Sequence, residues 1–186
     1  MKTLGVLGTG TMGAGLAQVA AQSGFSVIFW NRKQASVDKG LATIKKGFGR
    51  LLSKEKISQA DHDAALGRIR GVAALEDLKG ADILLEAVPE DLDIKRELYE
   101  KLHALCDEEV VFATNTSSLS VTALSAVSGR PTKFVGMHFF NPVPAMKWSR
   151  SCAASRRATR RRRPSRTSPS ASTRCRFRCA TCRASS

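Results

Sequence analysis

Three groups of residues in this chain have the types and spacing that chemistry requires. The first is Gly8-Thr9-Gly10-Thr11-Met12-Gly13. In this G-x-G-x-x-G spacing, Gly8 permits a tight turn, Gly10 lets a phosphate approach the backbone, and Gly13 lets a following helix pack closely on the preceding strand. Thr11 and Met12 lie where backbone N–H groups and the positive end of that helix can receive a pyrophosphate. Taken alone, the same residues also suit a tight turn in any α/β protein. The second group is polar and follows two apolar runs: Asn115-Thr116-Ser117-Ser118, and His138 with Phe139-Phe140-Asn141. A histidine at such an edge can move a proton near neutral pH, or it can be a hydrogen-bonded structural residue. The third group, Lys45, Lys46, Arg50, Lys54 and Lys56, is either an anion site or a solvated helix face.

The elements needed to position these groups are legible in the apolar pattern. Leu4-Gly5-Val6-Leu7 reads as a buried parallel strand ending at the glycine turn, and Leu16, Val19 and Ala20 recur at helical spacing up to Gly24. Val27-Ile28-Phe29-Trp30 closes a β-α-β unit, and Asn31-Arg32-Lys33 at its end falls where an adenine ribose would lie. Residues 35–67 are too long for one crossover helix and carry Leu41, Ile44, Phe48, Leu51 and Leu52 on one face, so they read as a helical hairpin inserted in the fold. Residues 69–72, 81–88, 110–114 and 133–138 read as further strands. Between them fall a turn or short helix at 75–80, a helix running through Leu98, Leu102 and Leu105, and a short helix at 121–127. Pro89, Glu90 and Asp91 suit the start of the longer helix. The expected fold is therefore α/β, a Rossmann-type, mostly parallel sheet that puts both polar clusters at strand C-termini, the edge where such sheets bind ligands.

Composition divides the chain in two. Residues 1–147 carry 18 Lys and Arg against 16 Asp and Glu, whereas residues 148–186 carry 12 Arg and no acid. The net charge of +14 thus comes almost wholly from the second stretch. That stretch also holds Cys152, Cys175, Cys179 and Cys182, and contains no Leu, Ile, Val, Gly or Lys. Such a composition cannot bury a core, so a disordered basic tail is expected there. Two other functions for it are weaker readings. An Arg-rich arm for nucleic acid or an anionic surface would normally mix Lys and Gly with Arg, and a zinc site would need a fourth ligand at suitable spacing. The body has one cysteine, Cys106, hence no disulfide framework, and no apolar run approaches the roughly 20 residues of a membrane span. A cytoplasmic protein without a membrane partner is expected.

The motifs 115–120 (Asn-Thr-Ser-Ser-Leu-Ser) and 136–147 (Gly-Met-His-Phe-Phe-Asn-Pro-Val-Pro-Ala-Met-Lys), with the 8–13 loop and Glu86-Ala87-Val88-Pro89-Glu90, resemble the 3-hydroxyacyl-CoA dehydrogenase family. Lys54-Glu55-Lys56-Ile57-Ser58 is most similar to its bacterial 3-hydroxybutyryl-CoA branch. The resemblance covers residues 1–147 and implies an NAD- or NADP-dependent interconversion of an L-3-hydroxyacyl-CoA and its 3-keto form, as in fatty-acid or butanoate metabolism. It implies His138 as the proton acceptor, Ser117 beside substrate and nicotinamide, and Asn115 and Asn141 at the same corner. Glu90 and Lys95 match cofactor contacts, and Lys54 matches a lysine that meets the coenzyme A phosphates. No metal is implied. Relatives of this kind are expected to be homodimers through a C-terminal helical domain.

Two departures from the family pattern stand out. At the end of the second strand the family usually has Asp, which accepts hydrogen bonds from both ribose hydroxyls, whereas this chain has Asn31 followed by Arg32 and Lys33, opening the cofactor to NADP. After Met146-Lys147 the family continues Leu-Val-Glu-Val, the Glu pairing with the catalytic histidine, whereas this chain reads Trp148-Ser149-Arg150-Ser151. Deleting one nucleotide from codons for Leu-Val-Glu-Val-Val-Arg-Gly-Leu yields Trp-Ser-Arg-Ser-Cys-Ala-Ala, which is the sequence present from 148 to 154. A reading-frame slip at codon 148, leaving an inactive chain, is the expectation.

Overall fold

β1 (Thr3–Leu7), β2 (Ser26–Trp30), β3 (Ile69–Val72), β4 (Ile83–Glu86), β5 (Val111–Thr114) and β6 (Phe134–His138) form one parallel sheet, extended at one edge by an antiparallel β7 (Arg150–Ala153). The strand order is β3-β2-β1-β4-β5-β6-β7 in the computed structural model, which describes residues 2–145 and 150–153. The chain builds outward from β1 on one side and then crosses to build outward from β4 on the other. The crevice at this reversal, between the C-terminal ends of β1 and β4, is where open α/β sheets bind ligands.

Both sheet faces are covered, as parallel strands require. Alternation along β2 sends Val27 and Phe29 to one face, where α1 (Thr11–Gln22) and α2 (Gln34–Ser53) supply Ala17, Ala20, Ile44 and Phe48. Ile28 and Trp30 face the other way, toward Tyr99 and Leu102 of α4 (Leu92–Leu105) and Leu124 of α5 (Val121–Val127). The expected hairpin is α2 followed by α3 (Gln59–Gly67), turned through Glu55 in the left-handed region at φ 53°. Ser58 caps α3 by accepting the Asp61 N–H at 3.1 Å.

Three differences from the sequence reading have physical causes. The fourth strand is shorter than residues 81–88, because after Glu86 the backbone turns to close on Gly8. Asp91 alone does the capping expected of Pro89, Glu90 and Asp91: its carboxylate accepts the N–H groups of Asp93 and Ile94 at 2.9 and 3.0 Å. That leaves Glu90 free to point elsewhere. Finally, the basic stretch is not irregular throughout, since Arg150–Ala153 completes the edge of β6 with His138 directly opposite Arg150. Main-chain pairing needs no particular side chains, so even this composition can add a strand to an open edge. The rest of the tail, including Cys175, Cys179 and Cys182, lies outside the described residues. Among the described residues no helix is long and apolar enough to cross a membrane, and no cluster of His, Cys, Asp and Glu could hold a metal.

Candidate active site

The glycine turn is built by collision on one side and openness on the other. Gly8 adopts φ 107°, and a Cβ there would stand 2.5 Å from the Ala87 carbonyl oxygen. A Cβ on Gly13 would stand 1.8 Å from the Gly8 carbonyl oxygen, so both positions are closed to side chains. Gly10 is the opposite case, with nothing within 4 Å of its would-be Cβ. It is the N-cap of α1 and brings no side chain to the first-turn N–H groups, which include those of Thr11 and Met12. A bare helix N-terminus beside open space fits a pyrophosphate.

Beside this turn a cleft of about 280 Å³ is lined by Met12, Val88, Glu90, Lys95, Asn115, Ser117, His138 and Phe139, among others. Six of the residues expected at the site therefore converge there from α1, α4 and the ends of β4, β5 and β6. Asn115 ties two of these ends together: its N–H donates to the Glu86 carbonyl at 2.9 Å and its Oδ1 accepts the Phe139 N–H at 2.8 Å. This fixes the backbone immediately after His138. The imidazole is half-buried and leans on Phe140, with ring centroids 4.6 Å apart.

Below the cleft lies a buried ionic network that the sequence reading reached only in part. Lys95, 1% exposed, places its Nζ 3.0 Å from Glu86 Oε2 and 3.1 Å from Glu90 Oε2. Glu86, fully buried, also accepts from the Thr114 hydroxyl at 2.7 Å, the Tyr99 hydroxyl at 3.2 Å and the Val88 N–H at 2.8 Å. Burial and the adjacent Glu86 carboxylate push the Tyr99 phenol well above its ordinary value, which keeps it a donor. Glu90 then reaches out of the network to the 115–118 loop, accepting from the Ser117 N–H and Thr116 hydroxyl, each at 2.7 Å, and from the Ser117 hydroxyl at 3.3 Å. The signal for Glu86 was one acid ending an apolar strand. Nothing in the spacing of Tyr99 or Thr114 announces their part.

Burial alone would raise the Glu90 carboxyl, but the Ser117 and Thr116 hydrogen bonds and Lys95 outweigh it and hold the group below its ordinary 4.5. A carboxylate with a lowered folded-state pKa adds stability that is present above its unfolded value and lost as pH falls through the folded one. Glu90→Gln is accordingly expected to flatten the acid limb of a urea-stability profile below pH 4.5 while leaving the slope near neutrality unchanged. An unchanged acid limb would mean that the carboxylate is not held by this loop.

The remaining expected residues lie outside that cleft. Asn31 and Arg32 follow β2 on the far side of the glycine turn, where the Asn31 Nδ2 donates to Thr9 Oγ1 at 3.1 Å. A second, larger groove of about 570 Å³ runs between α1, α2 and the segment after β6, lined by Thr11, Gln18, Lys46, Arg50, Lys56 and Asn141 among others. Lys54 is the C-cap residue of α2, exposed and outside the lining of this groove.

Fold and site together define a dinucleotide-binding domain of the doubly wound type with a polar reaction corner. Residues 3–149 match the family described as 3-hydroxyacyl-CoA dehydrogenase, NAD binding domain, and the chain belongs to that family. It is 46% identical over 143 residues to a probable 3-hydroxybutyryl-CoA dehydrogenase of Deinococcus radiodurans, covering 77% of this chain and 51% of the relative. Over 144 residues it is 43% identical to a 3-hydroxybutyryl-CoA dehydrogenase of Clostridioides difficile, again 77% of this chain and 51% of the relative. Among solved structures, the (S)-3-hydroxybutyryl-CoA dehydrogenase of Ralstonia eutropha superposes with a TM-score of 0.80 at 42% identity, covering 83% of this chain and 54% of that one. The chain spans about half the length of the relatives it matches.

Proposed function

We propose that this chain is the cofactor-binding half of a dehydrogenase that interconverts an L-3-hydroxyacyl-CoA, of the 3-hydroxybutyryl class, and its 3-ketoacyl-CoA. The observation that carries the reading is the convergence of His138, Ser117 and Asn115 on one cleft beside a bare helix N-terminus that can receive a dinucleotide. A bound nicotinamide would supply or accept the hydride. His138 takes the substrate hydroxyl proton on an imidazole nitrogen, the general-base role in the reaction. The Ser117 hydroxyl, turned by Glu90, orients the reacting oxygen, and Asn115 keeps His138 in place through Phe139.

The second groove fits the rest of an acyl-CoA. Lys46, Arg50 and Lys56 can meet its phosphates, and Ile44, Leu51, Pro142 and Val143 offer an apolar path for an extended chain. Lys54, which the family resemblance assigns to those phosphates, is the exposed C-cap residue of α2. Calorimetric titration with a reduced nicotinamide dinucleotide, followed by CoA, tests both halves of the reading. Gly10→Asp is expected to weaken the dinucleotide by at least about tenfold through charge repulsion. Lys46→Glu with Arg50→Glu is expected to weaken CoA by a similar factor and leave the dinucleotide unchanged. Equal dinucleotide binding by Gly10→Asp and the parent would remove the site from the glycine turn.

A further inference from the structure

We propose that Asn31 and Arg32 form a 2′-phosphate site, so that this pocket selects NADP(H) over NAD(H); the inference rests on the dinucleotide reading above. The ribose of NAD presents two hydroxyl donors at the end of the second strand and is best held by a carboxylate that accepts from both. At that position this chain has an amide whose orientation the structure fixes. The Lys33 N–H lies 3.1 Å from one end of the Asn31 amide, and because an N–H is a donor, that end is Oδ1. The Nδ2 end therefore faces Thr9 Oγ1 at 3.1 Å. The backbone beside it is equally fixed, since the Asn31 N–H donates to the Val72 carbonyl and the Gly8 N–H to the Trp30 carbonyl. One lone pair of Asn31 Oδ1 is taken by its own chain, so the amide offers a ligand one further acceptor site and the remaining N–H of Nδ2, and no negative charge.

The surroundings are also donor-rich. Arg32 and Lys33 follow directly and are exposed, and Arg32 forms no ion pair with a carboxylate among the described residues. α2 begins at Gln34 with no side-chain cap from Lys33; the Ser36 N–H donates to the Lys33 carbonyl at 3.0 Å, which leaves the Gln34 and Ala35 N–H groups at its N-terminus. Arg32 also acts on Glu97 of α4, whose carboxyl is lowered first by its hydrogen bond to Lys101 and only lastly by Arg32. A ribose diol finds one neutral amide oxygen here in place of a carboxylate that accepts from both hydroxyls. A phosphate dianion on the 2′ oxygen finds an amide donor, two cations and a helix N-terminus.

Calorimetric titration of the full chain with NADPH and with NADH decides. NADPH is expected to bind at least about tenfold more tightly, the worth of one charge-assisted contact. Arg32→Ala should lower NADPH affinity by a similar factor and NADH affinity by less than about twofold. Asn31→Asp should reverse the preference by returning the acceptor and repelling the phosphate. Tighter binding of NADH by the parent, or a ratio that neither variant changes, would overturn the specificity while leaving the dinucleotide site standing. Binding of neither cofactor would overturn the dinucleotide reading itself, and this inference with it.

Discussion

Lys95→Met is expected to lower the unfolding free energy of this chain by roughly 3–5 kcal/mol, because it strips the cation from two carboxylates of which one has no access to water. Glu86 is fully buried and Lys95 1% exposed, and the ammonium stands about equally far from Glu86 and Glu90, at 3.0 and 3.1 Å. Removing it leaves Glu86 with the Thr114 and Tyr99 hydroxyls and the Val88 N–H as donors, but with no counter-charge. The loss should therefore exceed that from deleting an exposed pair such as Lys101–Glu97. A second substitution separates charge from packing. Adding Glu86→Gln to Lys95→Met removes the orphaned charge and should recover a good part of the loss, since buried ion pairs are often replaceable as a unit. Urea unfolding of the parent, the single and the double variant measures this. A loss below about 1 kcal/mol for Lys95→Met would show that the network carries no such burden.

The same network marks the boundary of what was legible in the sequence. The glycine turn, the alternating apolar strands and the long amphipathic hairpin are local patterns, and each appears in the structure close to where period and spacing put it. The convergence of Asn115, Ser117 and His138 was legible because strand C-termini share one edge in a parallel sheet. What was not legible depends on side-chain direction. Glu90 read as a helix-start acid, yet Asp91 performs that task and Glu90 turns across to Thr116 and Ser117, 26 and 27 residues away. Glu86 joins donors from α4 and β5 that no short-range pattern links. The orientation of the Asn31 amide likewise follows from contacts with Thr9 and Lys33, whereas its residue type alone was visible beforehand.

Restoring the reading frame at codon 148 is expected to raise dehydrogenase turnover by at least about a thousandfold, the scale of effect seen when a catalytic histidine loses its orienting carboxylate. Arg150 stands in register directly opposite His138, at the position where the family resemblance puts the glutamate that pairs with the histidine. A carboxylate there, as the family resemblance expects, would orient the imidazole and stabilise the imidazolium formed when the substrate proton arrives. On the reading proposed above, the chain keeps the cofactor turn, the Glu86–Lys95–Glu90 network and His138, and carries Arg150 where the family resemblance expects the glutamate. We infer that it binds its cofactor and turns over little or no substrate.

Inserting one nucleotide before codon 148 is expected to replace Trp148-Ser149-Arg150 by Leu-Val-Glu and to change the sequence downstream. The measurement is oxidation of the reduced dinucleotide by acetoacetyl-CoA, followed by absorbance, for three proteins: the 186-residue chain, the frame-restored protein, and the frame-restored protein carrying His138→Gln. Rapid oxidation by the frame-restored protein, with the 186-residue chain and the His138→Gln variant each slower by at least about a thousandfold, is the predicted result. Turnover by the 186-residue chain within about tenfold of the frame-restored protein, or full activity in the His138→Gln variant, would contradict it.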